Sequence, residues 1–108
     1  MIHDITPEQL HQRLRARARP RLVDVREAEE LASELGHIEG VEHVPLAAVP
    51  DACARWSRDE EIVLICRSSG RSGKAALHLA GRGFTRIHNM VGGMLAWNAA
   101  ALPVQRRR

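Results

Sequence analysis

The chain has 108 residues, 44% of them hydrophobic and 27% charged, which suits one globular domain with a single core. A formal charge of +3 suggests nucleic acid, but Arg106, Arg107 and Arg108 alone supply three charges, and Trp56, Phe84 and Trp97 are too few to interleave with a basic surface, so no nucleic-acid role is expected. The polar start MIHDITPEQLHQ lacks an apolar signal core and no run approaches the ~20 residues that cross a bilayer, so a cytoplasmic chain without a membrane role is expected.

The piece HDI reads as an edge strand ahead of a well-signalled helix. Thr6 caps that helix, Pro7 takes its first position and Gln9 completes a capping box. Leu10 and Leu14 form its apolar stripe, and Arg13, Arg15 and Arg17 are expected to face water. RLVDVR (21–26) is a β-branched run that enters a loop. EAEELASEL then reads as a helix with acids at its positive end, stopped by Gly36. GHIEGVEHVPL carries a short strand around His43 and Val44, ended by Pro45, and LAAVPDACARW a short helical segment interrupted by Pro50.

After SRDEE comes IVLIC, a continuous apolar run that predicts a strand buried on both faces of a parallel sheet. SGKAALHLAGRGF follows as a helix that offers Ala76, Leu77, Leu79 and Ala80 for packing and stops at Gly83. RIHNMVGG is a further strand and turn, and MLAWNAAAL a last helix cut off by Pro103. Strands and helices alternate throughout, so the expected fold is α/β, a small, mostly parallel sheet covered by helices on both faces. One domain over 1–104 and a solvated basic tail over 105–108 complete the expected organisation.

There are two cysteines, Cys53 and Cys66, with no CxxC pair, and the six histidines show no zinc-ligand spacing, so no metal is expected. A reducing compartment argues against a disulfide, leaving each thiol structural or reactive. Cys66 ends the most apolar strand, and in parallel sheets ligands gather at the carboxyl ends of strands. The stretch CRSSGRS (66–72) then leads into a helix. Helix N-terminal amides, the charges of Arg67 and Arg71, and the hydroxyls of Ser68, Ser69 and Ser72 all favour a thiolate at Cys66. Gly70 is expected to supply the backbone freedom that lets successive N–H groups turn inward as an anion nest. An inert buried cysteine is the bland alternative, and it leaves two arginines and a glycine in the loop unexplained.

The loop resembles the active-site loop of the rhodanese-like sulfurtransferases. LVDVRE (22–27), GHIEGVEHVPL (36–46), IVLICRSSGRS (62–72), GRGF (81–84) and HNMVGGMLAW (88–97) resemble that family's successive landmarks, in order, over nearly the whole chain. The sequence departs from the family's pattern at Ser69, where glycine is common, and at Glu39, where proline is common. The resemblance implies a five-stranded rhodanese-like fold and two-step transfer without a cofactor. Cys66 attacks the outer sulfur of an anionic donor such as thiosulfate, and the resulting persulfide passes its sulfur to cyanide or a thiol. A sulfur-relay protein is a candidate partner. Arg67, Ser68, Ser69, Gly70, Arg71 and Ser72 are expected to bind the donor or hold the persulfide, with Arg71 also a candidate brace of the loop.

Four residues separate Cys66 from Arg71. The phosphatases and arsenate reductases that share this fold carry one more, and the missing residue shortens the loop contour by ~3.5 Å, which suits a single sulfur atom better than a tetrahedral oxyanion. An oxyanion-processing enzyme and a non-catalytic binding module stay as alternatives. Asp24 and Arg26 are expected to organise the base of the site as an ion pair, and His37 to make a structural hydrogen bond, because a thiolate attacking sulfur needs no base. Cys53 reads as a plain packing or surface residue, with a second thiol that resolves the persulfide as the alternative; Trp97 reads as core, and Gly92 and Gly93 as the means of a close approach at the rim of the site.

Overall fold

The computed structural model describes residues 2–16 and 19–106; the expectations for Arg17, Arg107 and Arg108 lie outside the described residues. Five short strands, β1 (Ile2–Ile5), β2 (Arg21–Asp24), β3 (Glu42–His43), β4 (Ile62–Ile65) and β5 (Ile87–Met90), form one sheet in the order β1-β5-β4-β2-β3. Every pairing is parallel, so β4 sits at the centre with β5 and β2 as neighbours. A central parallel strand has no solvent face, which is why IVLI is fully buried and shows no polar alternation.

The pleat of β4 divides its side chains between two cores. Ile62, Leu64 and Cys66 join Val23, Val25, Ala75, Ala76, Leu79, Phe84 and Ile87 on the face covered by α3 (Val49–Ala52) and α4 (Gly70–Gly81). Val63 and Ile65 join Ile5, Leu10, Leu22, Met90, Met94 and Trp97 on the face covered by α1 (Pro7–Arg15) and α5 (Gly93–Ala99). The expected two-sided parallel α/β fold is therefore observed. None of the helices among the described residues is long and apolar enough to cross a membrane.

Local signals hold at most boundaries. Thr6 and Gln9 form the reciprocal capping box ahead of α1. Gly83, at φ +92°, takes up the chain after α4, and Phe84 N–H reaches back to Leu79 O at 3.1 Å. Trp97 is buried, its indole N–H donating to Pro103 O at 2.9 Å. Cys53 is also buried in the core, as a packing residue would be.

Several expectations need correction. Leu77 is 67% exposed; the packing face of α4 runs through Ser72, Ala75, Ala76 and Leu79, a three-and-four spacing that leaves Leu77 on the opposite side. Arg13 does not simply face water, because its guanidinium holds Glu61 at the entry to β4 in a two-point bond. The acidic helix is one turn, α2 (Ala28–Leu31). The Glu30 carbonyl that would continue it accepts instead from the Ser33 hydroxyl at 2.5 Å and from Arg26 Nη1 at 3.3 Å. At the other end, Gln105 exchanges backbone bonds with His37 and Arg106 Nε donates to Glu34 O.

Candidate active site

The pleat that buries Leu64 also turns Cys66 toward α4, placing its thiol beneath the turn that starts this helix; the residue is only 1% exposed. Ser69 N–H donates to Sγ at 3.0 Å, and the Ser72 Oγ lies 3.2 Å from it. The first backbone bond of α4 runs from Gly73 N–H to Ser69 O at 2.9 Å, so the amides of Gly70, Arg71 and Ser72 precede any intrahelical partner. Burial pushes the Cys66 thiol up. Hydrogen bonding from the Ser72 hydroxyl and from the Ser72, Ser69 and Ser68 amides outweighs it, and the net shift is downward from 9.0.

The backbone strain of the loop falls at Ser69, with φ +102°, and not at Gly70, which has an ordinary negative φ and opens α4. A side chain at Gly70 meets nothing within 4 Å. The glycine common in the family is thus absent at the residue whose backbone requires it, and Ser69 adopts the left-handed conformation at a cost of about 1–2 kcal/mol.

The two arginines of the loop differ in their surroundings. Arg71 Nη1 and Nη2 donate to the two carboxylate oxygens of Glu30 at 2.7 and 2.8 Å, a bidentate pair between α4 and α2. The Arg71 hydrogen bonds draw the Glu30 carboxyl from 4.5 to about 2 against the opposing effect of partial burial. Arg71 thus ties α4 to α2, with its charge matched by Glu30. Arg67 is exposed. Hydroxyl and amide dipoles lead the thiol's downward shift.

Beneath this pair, Asp24 and Arg26 make a buried two-point ion pair, with Arg26 Nε and Nη2 donating at 2.9 and 2.8 Å. Arg26 also donates to Gly36 O at 2.7 Å and to Glu30 O, so the pair at the end of β2 fixes the segment that presents Glu30 to Arg71. A buried arginine needs this many acceptors to offset its desolvation. His37 Nδ1 bonds Leu31 O at 2.9 Å, and its backbone pairs with Gln105; none of these bonds reaches the cysteine loop.

The loop is held from its other side by α5. Met94 N–H donates to Cys66 O at 2.8 Å and Leu95 N–H to Arg67 O at 3.0 Å. That approach requires Gly93, at φ +57°, where a Cβ would fall 2.5 Å from the Arg67 and Cys66 carbonyl oxygens. Gly93 thus makes the close approach expected of the glycine pair, whereas a Cβ at Gly92 would meet Ala96 of α5 itself.

Two residues of the site carry no reading from the sequence. Glu30 sat among acids expected only to serve a helix dipole, and its partner lies 41 positions away. Asn89 lies in β5 on the same face as Ile87, with Oδ1 2.5 Å from Ser72 Oγ. A polar residue at a core-facing strand position was the available signal for it. Among the described residues no cluster of three or more His, Cys, Asp or Glu is placed to hold a metal ion. A surface depression of about 700 Å³ between β1 and α1 is lined by His3, Asp4, Gln9, Arg13 and His88 and contains no residue of the cysteine loop.

A parallel sheet whose central strand ends in a cysteine, cradled by the amides of a following helix, defines an α/β protein with a thiol-based site. Residues 6–100 match the family described as Rhodanese-like domain, and the chain belongs to that family. It is 34% identical over 104 residues to a sulfurtransferase of Allochromatium vinosum, covering 96% of this chain and 95% of that one. It is 33% identical over 95 residues to the thiosulfate sulfurtransferase GlpE of Pseudomonas putida, covering 88% and 84%. The crystal structure of a rhodanese-related protein from Thermoplasma volcanium matches with a TM-score of 0.84 at 26% identity, covering 97% of this chain and 99% of that one.

Proposed function

We propose that this rhodanese-like protein is a sulfurtransferase that moves a sulfane sulfur from thiosulfate or a persulfide donor to cyanide or a thiol through a persulfide on Cys66. The observation that carries the reading is the thiol itself, buried at the end of the central strand yet shifted toward its anion by the Ser69 amide and the Ser72 hydroxyl.

In the first half-reaction the Cys66 thiolate attacks the outer sulfur of thiosulfate. The new S–S bond forms as the bond to the sulfonate sulfur breaks, and sulfite leaves with that electron pair. The negative charge moves to the terminal sulfur of the persulfide, where the amides at the start of α4 are the nearby donors and the positive end of the helix favours an anion. In the second half-reaction cyanide, or a thiolate from a small molecule or relay protein, takes the terminal sulfur and Cys66 leaves as thiolate. Arg67, exposed at the mouth, is the charge that draws the anionic donor in. Arg71 holds the loop's shape through Glu30. No step calls for a base or a metal. A cytoplasmic, reducing setting keeps both cysteines free.

Intact-mass measurement after exposure to thiosulfate, and separately to glutathione persulfide, tests the proposal. The protein is expected to gain one sulfur atom, Cys66→Ala to gain none, and thiocyanate formation to vanish in that variant. No mass gain with either donor would refute sulfur transfer and favour a binding module. Cys66-dependent turnover of an aryl phosphate would favour oxyanion chemistry.

A further inference from the structure

We propose that Asn89 is a positioning residue for the reacting thiol: the orientation of its side-chain amide decides whether the Ser72 hydroxyl directs its one proton to Cys66 Sγ or away from it.

Ser72 is fully buried, and its Oγ lies between two partners, Cys66 Sγ at 3.2 Å and Asn89 Oδ1 at 2.5 Å. A hydroxyl has one proton to give. While the thiol is protonated, every group is satisfied in series: S–H donates to Ser72 Oγ, Ser72 O–H donates to Asn89 Oδ1, and Asn89 Nδ2 donates to Ser69 O at 3.4 Å. Once the thiol proton has left to solvent, the sulfur is acceptor-only and the Ser72 hydroxyl must turn toward it. Ser72 Oγ and Asn89 Oδ1 are then two acceptors 2.5 Å apart with no proton between them. A half-turn of the amide resolves this by placing Nδ2 against Ser72 Oγ, so that Asn89 donates to Ser72 and Ser72 to the thiolate. The contact given up is the long one to Ser69 O, the weakest in the series, and the 3.4 Å separation there is a far milder acceptor–acceptor contact than the 2.5 Å one it replaces. Room exists beside the amide, since a Cβ added at Gly73 would still stand 3.6 Å from Nδ2.

The charged groups around the thiol are already matched to one another. Arg71 of α4 is held by Glu30 of α2, and Arg26 is held by Asp24 of β2. Arg67 is exposed, and α5 contributes backbone amides to the loop carbonyls. The neutral pair Ser72–Asn89 is therefore the contact that can change its donor direction with the charge on sulfur. The thiol's downward shift agrees, because the Ser72 hydroxyl is foremost among the groups that pull it below its ordinary value against burial.

The consequence for turnover rests on the sulfur-transfer reading, but the titration of the thiol does not, so the test uses alkylation and needs no sulfur donor. The rate of iodoacetamide alkylation of Cys66 is followed against pH in a Cys53→Ala background. Asn89→Asp supplies an ionised group that only accepts, and it is expected to raise the thiol pKa by about one unit and slow alkylation at neutral pH about tenfold. Asn89→Ala, which removes the donor without adding charge, is expected to raise it less. In a Ser72→Ala background the Asn89→Ala effect should disappear, because Asn89 acts through Ser72. An unchanged thiol pKa in both Asn89 variants would overturn the proposal, as would an Asn89→Ala shift that persists without Ser72. If these shifts occur while no persulfide forms, the sulfur-transfer reading fails and this inference stands.

Discussion

Replacing Glu30 by Gln tests the claim that Arg71 braces the loop. The substitution keeps the shape of the side chain and removes the charge that both guanidinium nitrogens meet. Glu30 is drawn from 4.5 to about 2 by those bonds, against partial burial. A shift of that size in a fully shielded group corresponds to about 3.4 kcal/mol of folding free energy. The two side chains are 34% and 27% exposed, so screening reduces the expected contribution to about 1–2 kcal/mol. Because the folded carboxyl is depressed, its stabilisation is complete above pH 4.5 and is lost as pH falls toward 2. Urea unfolding at pH 7 should show Glu30→Gln less stable by that amount, and by pH 3 the difference between the two proteins should fall by more than half. Equal stability at pH 7, or a difference that does not depend on pH between 5 and 3, would refute the brace.

Ser69→Gly is expected to stabilise the fold by about 0.5–1 kcal/mol, since relief of the left-handed backbone exceeds the extra freedom glycine brings to the unfolded chain. Thermal melting should rise by about 2–6 °C, and a fall would show that the Ser69 side chain makes a compensating contact. The loop and α5 should tolerate an added methyl very differently: Gly70→Ala meets no atom within 4 Å and is expected to leave stability unchanged or slightly raised, whereas Gly93→Ala meets the Arg67 and Cys66 carbonyls at 2.5 Å and is expected to cost about 3 kcal/mol. Denaturant unfolding of the two variants checks this, and similar values for both would refute the close approach.

The elements and the placement of Cys66 were legible because they rest on local signals. The Thr6–Gln9 box, the unbroken IVLI run and the position of Cys66 at a strand end each follow from neighbours in sequence. Function within the loop was less legible. The glycine of CRSSGRS drew the expectation of backbone freedom, yet φ is positive one residue earlier, because the helix starts at Gly70 and the reversal must precede it. The arginines of the loop looked like the source of the thiol's acidity until Glu30, from another element, matched one of them. Partners such as Glu30 for Arg71 and Asn89 for Ser72 lie 41 and 17 positions away, and only the sheet order brings them together. The same limit explains Leu77, whose exposure follows from where α4 meets the sheet.

That hydroxyl and amide dipoles pull the thiol down, with the Arg71 charge matched by Glu30, bears on the proposed reaction, in which one sulfur plays two parts. In that proposal Cys66 attacks in the first half-reaction and leaves in the second. A strongly depressed pKa makes a thiolate a good leaving group and a poor nucleophile, whereas an ordinary pKa leaves little thiolate at neutral pH; attack is fastest when the pKa lies near the ambient pH. A bare guanidinium against the sulfur would push far toward the first limit. Matching Arg71 with Glu30 keeps the arginine's geometry for the loop while offsetting its charge, and the Ser72 hydroxyl and nearby amides pull the thiol down against burial. On the sulfur-transfer proposal, a downward pull led by neutral donors suits a sulfur that must both attack and depart.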